Sequence, residues 1–171
     1  MDATTSIAKR VLVVDDEPEL CAFLKDVLED AGLQVDTAVT AEDALQLFTE
    51  RSYDLLTLDC FMPGTSGVAL HQTLSNVYGF GKRLPSTMPQ RLPPIVVITG
   101  YTQDSSVQEM VFGERIIGLL QKPVATKELL RVISEVLEWE DVRNSRRTRA
   151  LSRLGQHVSR LAKSVIDDTR I

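Results

Sequence analysis

The sequence predicts an α/β fold, a doubly wound five-stranded parallel sheet flanked by five helices with a C-terminal helical extension, and three observations predict it. Strand-length apolar runs alternate with helical periods over about 138 residues. Several of these runs are apolar at nearly every position, as strands covered on both faces must be. Three of them end in charged landmarks: Asp15-Asp16 after VLVV, Asp59 after DLLTL, and Lys122-Pro123 after GLLQ. In an open parallel sheet the carboxyl ends of the strands share one edge, so these side chains are expected in a single crevice.

Each element follows from its residues. Val11 to Asp15 is the first strand, and Pro18 suits the first turn of the next helix, where its missing N–H would have no partner anyway. That helix carries Leu20, Phe23, Leu24, Val27 and Leu28 and stops at Gly32. Val35 to Ala38 is a short second strand. Thr40 then caps a helix through Arg51 whose Ala44, Leu45, Leu47 and Phe48 face inward. Leu55 to Asp59 is the third strand, and a Pro63-Gly64 turn leads to a helix from about Ser66 to Tyr78. Ile95 to Thr99 is the fourth strand, followed by a helix from about Ser105 to Glu114. Leu119 to Gln121 closes the sheet, and Thr126 caps a last helix through Leu129, Leu130, Ile133, Val136 and Leu137.

Three segments organise the chain: a flexible N-terminus over residues 1–8, the α/β domain over 9–138, and a basic tail over 139–171. Within the domain, residues 79–94 break the rhythm. GFGKRLPSTMPQRLPP holds four of the seven prolines and three basic residues, so it is expected as an extended surface loop at the sheet edge opposite Asp59. A tolerated insertion and a docking surface for a partner both fit it.

With 171 residues, 43% of them hydrophobic and 25% charged, the chain has material for one domain with a real core. Its net charge of −5 is unevenly spread: from Trp139 onward eight basic residues oppose four acidic ones, a net of +4 on an otherwise acidic chain. No apolar stretch approaches the roughly 18 residues that span a bilayer, and MDATTSIAKR lacks the apolar region of a secretory signal, so a cytoplasmic protein is expected. Cys21 and Cys60 lack metal-binding spacing and are expected as reduced, unpaired thiols. With only His71 and His157 present, a His-based metal site or a Ser-His-Asp triad has too few parts.

Phosphoryl transfer to a carboxylate needs an in-line oxygen nucleophile, a cation and fixed donors. Asp59 is the candidate nucleophile. Asp15 and Asp16 are candidates to hold Mg²⁺, a hard cation that takes oxygen ligands. Lys122 offers a compact mobile charge, Thr99 a hydroxyl donor from the next strand end, and Gly100 room for the incoming group. Each piece alone is ordinary, since acidic pairs often cap helices and Lys-Pro often marks a turn. Together, in this order, they describe a site.

The segments VLVVDDEP, DLLTLDCFMPGTSG, VVITGY and LLQKP resemble the receiver domain of two-component response regulators, and the similarity covers about Lys9 to Leu137. The resemblance implies a flavodoxin-like sheet of order 2-1-3-4-5 and phosphorylation of Asp59 by a histidine kinase or phosphotransfer protein. It further implies that Asp16 ligates Mg²⁺ directly, Asp15 largely through water, and that the backbone carbonyl of Phe61 completes the protein ligands. It also implies a cis Lys122-Pro123 peptide and an output face made by the fourth helix, fifth strand and fifth helix, able to bind a second copy or a downstream protein.

The chain departs from the family at Leu119, where a switching Tyr or Phe is usual. Phe61 and Tyr101 are bulky groups at positions that border the attacking-water path in the family, where shielding of the acyl phosphate and mere packing of the rim are both open. Two other functions compete: a pseudo-receiver scaffold without phosphotransfer, and an aspartyl-phosphate hydrolase. The second requires an Asp two residues past the nucleophile, where Phe61 stands.

In the tail, Leu151, Leu154, Val158, Leu161 and Val165 recur at helical spacing, with Arg146, Arg147, Arg149, Arg153, Arg160 and Lys163 around them. Two heptads fall short of a coiled coil, and Gly155 costs about 1 kcal/mol relative to Ala. A second copy or a partner protein is the first expectation for what covers the stripe, and packing back on the body the second. The lack of aromatic residues argues against a membrane surface, and a tail too short for a winged helix-turn-helix argues against nucleic acid.

Overall fold

The computed structural model describes residues 8–78, 91–113 and 115–168, with side chains described as far as residue 149. The N-terminal segment, apart from its last residue, and residues 79–90 of the Pro-rich stretch lie outside them. Five parallel strands form one sheet in the order β2-β1-β3-β4-β5: β1 (Arg10–Val14), β2 (Gln34–Ala38), β3 (Leu55–Leu58), β4 (Ile95–Thr99) and β5 (Ile116–Gln121). All four pairings are parallel. Parallel strands need covered crossovers, and helices α1 (Pro18–Asp30), α2 (Ala41–Glu50), α3 (Gly67–Tyr78), α4 (Ser105–Val111) and α5 (Thr126–Asp168) follow the five strands in turn.

Burial explains the apolar runs. Leu12, Val14, Leu56, Leu58, Ile95 and Val97 join Ala44 and Phe48 of α2, Leu70 and Leu74 of α3, and Val107 and Met110 of α4 in one core cluster. The alternate residues Val11, Val13, Leu55, Val96 and Ile98 are also buried, so the strands hide both faces. α1 contacts β1 and β2 and buries Cys21, Leu24 and Leu28.

Local signals place the helix starts. Pro18 occupies the first turn of α1, and the Thr40 hydroxyl accepts the Asp43 amide at 3.1 Å to cap α2. Asp104 caps α4 by accepting the Ser106 amide at 2.8 Å. Thr126, expected as a cap, is instead the first residue of α5, and Ala125 supplies the carbonyl for the Leu129 amide.

Four boundaries differ from expectation. β5 begins at Ile116 rather than Leu119, because Ile116 already pairs with Ile95 and Gly118 with Val96. α4 stops at Val111 rather than near Glu114: Gly113 turns the chain against the His71 ring, where a Cβ would come within 2.5 Å. Leu92, Pro93 and Pro94, assigned to the surface loop, are buried, and the Pro94 carbonyl accepts the Leu56 amide at 3.0 Å. The last helix does not end near Leu137 but continues to Asp168: residues 127–154 hold no Pro or Gly, and Gly155 is accommodated within the helix. The chain divides into two compact units, Met1–Ser134 and Glu135–Ile171, and α5 contributes to both.

Candidate functional site

The site begins where β1 and β3 end. Val14 and Leu58 are register partners, so the next residues leave the sheet side by side. The Asp15 amide donates to the Ala38 carbonyl at 3.1 Å and the Asp59 amide to the Val14 carbonyl at 2.9 Å, which fixes both residues through the last rungs of the ladder. Asp15 and Asp59 are buried and Asp16 half-buried, and one carboxylate oxygen from each lies within 4.8 Å of the others. Negative charges this close in a partly dry site repel one another, so a cation must offset them.

Lys122 supplies one. Its amide donates to the Thr99 carbonyl at 2.9 Å, anchoring it past the end of β5. Its ammonium then reaches Asp15 Oδ2 at 2.7 Å, Asp59 Oδ2 at 2.7 Å and Glu17 Oε1 at 3.0 Å. Burial pulls the Lys122 pKa down, but the hydrogen bonds to Asp15, Asp59 and Glu17 outweigh it and hold the group above the usual lysine range. Burial raises the Asp15 pKa, opposed by its bond to Lys122. Of this pair Lys122 keeps the proton, because three acceptors surround its ammonium.

The remaining expected residues line the same edge. Thr99 is fully buried at the end of β4, and its hydroxyl oxygen accepts the Tyr101 amide at 3.4 Å. The Phe61 amide donates to Asp59 Oδ1 at 3.2 Å. The Phe61 and Tyr101 rings meet at 4.8 Å between centroids, tilted by 59°, and both remain substantially exposed. Leu119 pairs with Val97 in the sheet and packs, half-buried, against the core. A Cβ at Gly100 would meet nothing within 4 Å, which leaves space beside Thr99. The Lys122-Pro123 peptide is cis.

Two residues of the site escaped the sequence reading. Glu17 follows the acidic pair directly, and its adjacency was the only available signal for its bond to Lys122. Gly67 starts α3, and a Cβ there would lie 1.8 Å from the Asp59 carbonyl oxygen, so only glycine allows this helix so near the Asp59 backbone. A glycine where a helix is expected to begin was its one visible trace.

Residues 11–134 match the family described as response regulator receiver domain. The chain belongs to that family. Response regulator receivers are phosphoacceptor signalling modules of two-component systems, and membership implies a cognate histidine kinase. Among curated proteins, this receiver is 29% identical to the two-component response regulator PprB of Pseudomonas aeruginosa, over 96% of the chain and 56% of PprB. It is 30% identical to the phosphate regulon transcriptional regulatory protein PhoB of Rhizobium meliloti, over 87% of the chain and 66% of PhoB. The receiver thus spans between about half and two thirds of these relatives. Among solved structures, the response regulator TrrA of Thermotoga maritima, in complex with Mg²⁺-BeF, is 29% identical with a TM-score of 0.58, covering 75% of this chain and 98% of TrrA. No helix among the described residues is long and apolar enough to cross a membrane.

Proposed function

We propose that Asp59 accepts a phosphoryl group from a histidine kinase or phosphotransfer protein, and that the modified receiver signals through protein association. One observation carries this reading: the buried Asp59 carboxylate shares a single ammonium, at 2.7 Å, with Asp15, while Asp16 stands within 4.8 Å of both carboxylates. The donor set is all oxygen and strongly anionic, which fits Mg²⁺ rather than a softer metal. Asp15, Asp16, Asp59 and the Phe61 carbonyl would hold the ion, and it would supply neutralisation of phosphoryl charge when bound.

The protein groups have separable roles. Asp59 is the oxygen nucleophile, oriented by the Phe61 amide at Oδ1 and by Lys122 at Oδ2. Lys122 stays charged and donates to a phosphoryl oxygen. The Thr99 hydroxyl accepts from Tyr101 and so keeps its own proton to donate. Exposed Phe112 at the end of α4 and Ile117 on β5 support association through this side of the domain, with α5 as a further candidate surface for a second copy or a downstream protein.

Incubation with Mg²⁺ and a small acyl-phosphate donor, read by intact mass, tests the reading. One phosphoryl adduct is expected on the wild type and none on Asp59→Asn. An unmodified wild type would favour the scaffold function instead. Passing the same samples over a sizing column reads whether modification changes association.

A further inference from the structure

The Lys122 ammonium has three N–H donors, and three carboxylates take them: Asp15, Asp59 and Glu17. A phosphoryl oxygen therefore gains a Lys122 hydrogen bond only by displacing one of these acceptors. The three are not equally held. The Asp15 and Asp59 side chains are 3% and 7% exposed, whereas that of Glu17 is 63% exposed and its contact is the longest. The Glu17 backbone is anchored separately, its amide donating to Asp15 Oδ1 at 3.1 Å and its carbonyl accepting the Cys21 amide at 3.0 Å. Its carboxylate can leave Lys122 without disturbing the fold.

We infer that Glu17 is a positioning residue that occupies the third donor of Lys122 in the unmodified protein and yields it to the incoming phosphoryl group, a role that presupposes the phosphoacceptor function proposed above. In transfer from a small acyl phosphate such as acetyl phosphate, the bond between phosphorus and the donor's acyl oxygen breaks as an Asp59 oxygen bonds to phosphorus. The acyl carboxylate leaves with the electron pair. Asp59 reacts as its carboxylate, so no proton moves. Lys122 exchanges Glu17 Oε1 for a phosphoryl oxygen within the same step. Glu17 thus restrains modification by occupying the ammonium, and its removal leaves that donor ready.

Two substitutions separate this contact from a field effect. Glu17→Gln removes the charge, while Glu17→Asp keeps the charge but shortens the reach to Lys122 by one methylene. With saturating Mg²⁺ and acetyl phosphate, both variants are expected to acquire phosphate about two- to fivefold faster than wild type, the scale that an exposed ion pair can contribute. Both should also bind beryllium fluoride more tightly by a similar factor, read by NMR titration. Acceleration in Glu17→Gln alone would assign the effect to long-range charge and overturn the inference, as would wild-type behaviour in both. A wild type that takes neither phosphate nor beryllium fluoride would instead overturn the phosphoacceptor function.

Discussion

The Asp59 carboxylate is buried, yet two exposed rings stand near its edge of the sheet. Phe61 and Tyr101 follow Asp59 and Thr99 by two residues each and touch one another, so together they form part of the rim. Shielding by these rings should slow attack of water on an acyl phosphate. Phe61→Asn and Tyr101→Ala are expected to shorten the phosphorylated lifetime severalfold, measured as loss of the adduct by intact mass; decay no faster than wild type would remove the role. The thiols predict a pH effect. Burial pushes Cys21 up to about 11 and Cys60 up to about 12, with the charges of Asp15 and Asp59 respectively adding to it. An unfolded thiol titrates near 8.5, so the unfolded chain releases these protons first. Their stabilisation is complete below about pH 8.5 and is lost as pH rises towards the folded values. Urea midpoints should fall between pH 7.5 and 9.5, and less steeply in Cys60→Ala than in wild type. At residue scale the acids were legible because each closes an apolar run. Glu17 was not, because its partner lies 105 positions away in the chain.

Elements were legible where one local rule decided them. Thr40 and Pro18 mark helix starts through hydrogen bonding and backbone geometry that need only neighbouring residues. The places of Gly118 and Gly113 were not legible because their reasons are tertiary: one faces Val132 and Val96, the other abuts His71. The full length of α5 was hidden for another reason, since a change in charge at Trp139 suggested a boundary that backbone propensity does not impose. Gly67 offers a sharp test at this scale. Its Cβ would collide with the main chain of Asp59 and Cys60 rather than a flexible side-chain tip, so the clash cannot relax locally. Gly67→Ala is expected to cost about 1–3 kcal/mol, as overpacking does, read as a lower urea midpoint. It should also displace Asp59 and slow phosphoryl uptake. Wild-type stability would show that α3 can shift freely.

For the whole molecule, strand order does the assembling. Placing β1 beside β3, with β4 and β5 following, gathers positions 15, 59, 99 and 122 at the carboxyl edge although they span most of the domain. Apolar patterning made this sheet readable, and the strand-end acids made readable which side chains share its carboxyl edge. A cation that bridges those acids should stabilise the native state by linkage: Mg²⁺ at a hundred times its dissociation constant should add about 2.7 kcal/mol. Calcium-free thermal melts with and without Mg²⁺ measure it, and Asp59→Asn should blunt the gain. No gain in wild type would argue against the oxygen cage as a metal centre. The same topology separates two kinds of freedom. Tyr78 ends α3 and Arg91 precedes β4, on the side where strands begin, whereas Asp15, Asp59, Thr99 and Lys122 stand where strands finish. A fluorophore or affinity tag attached at the exposed Arg91, just before β4, would stand at the opposite edge from the reacting groups, giving the experimenter a handle remote from the chemistry it reports.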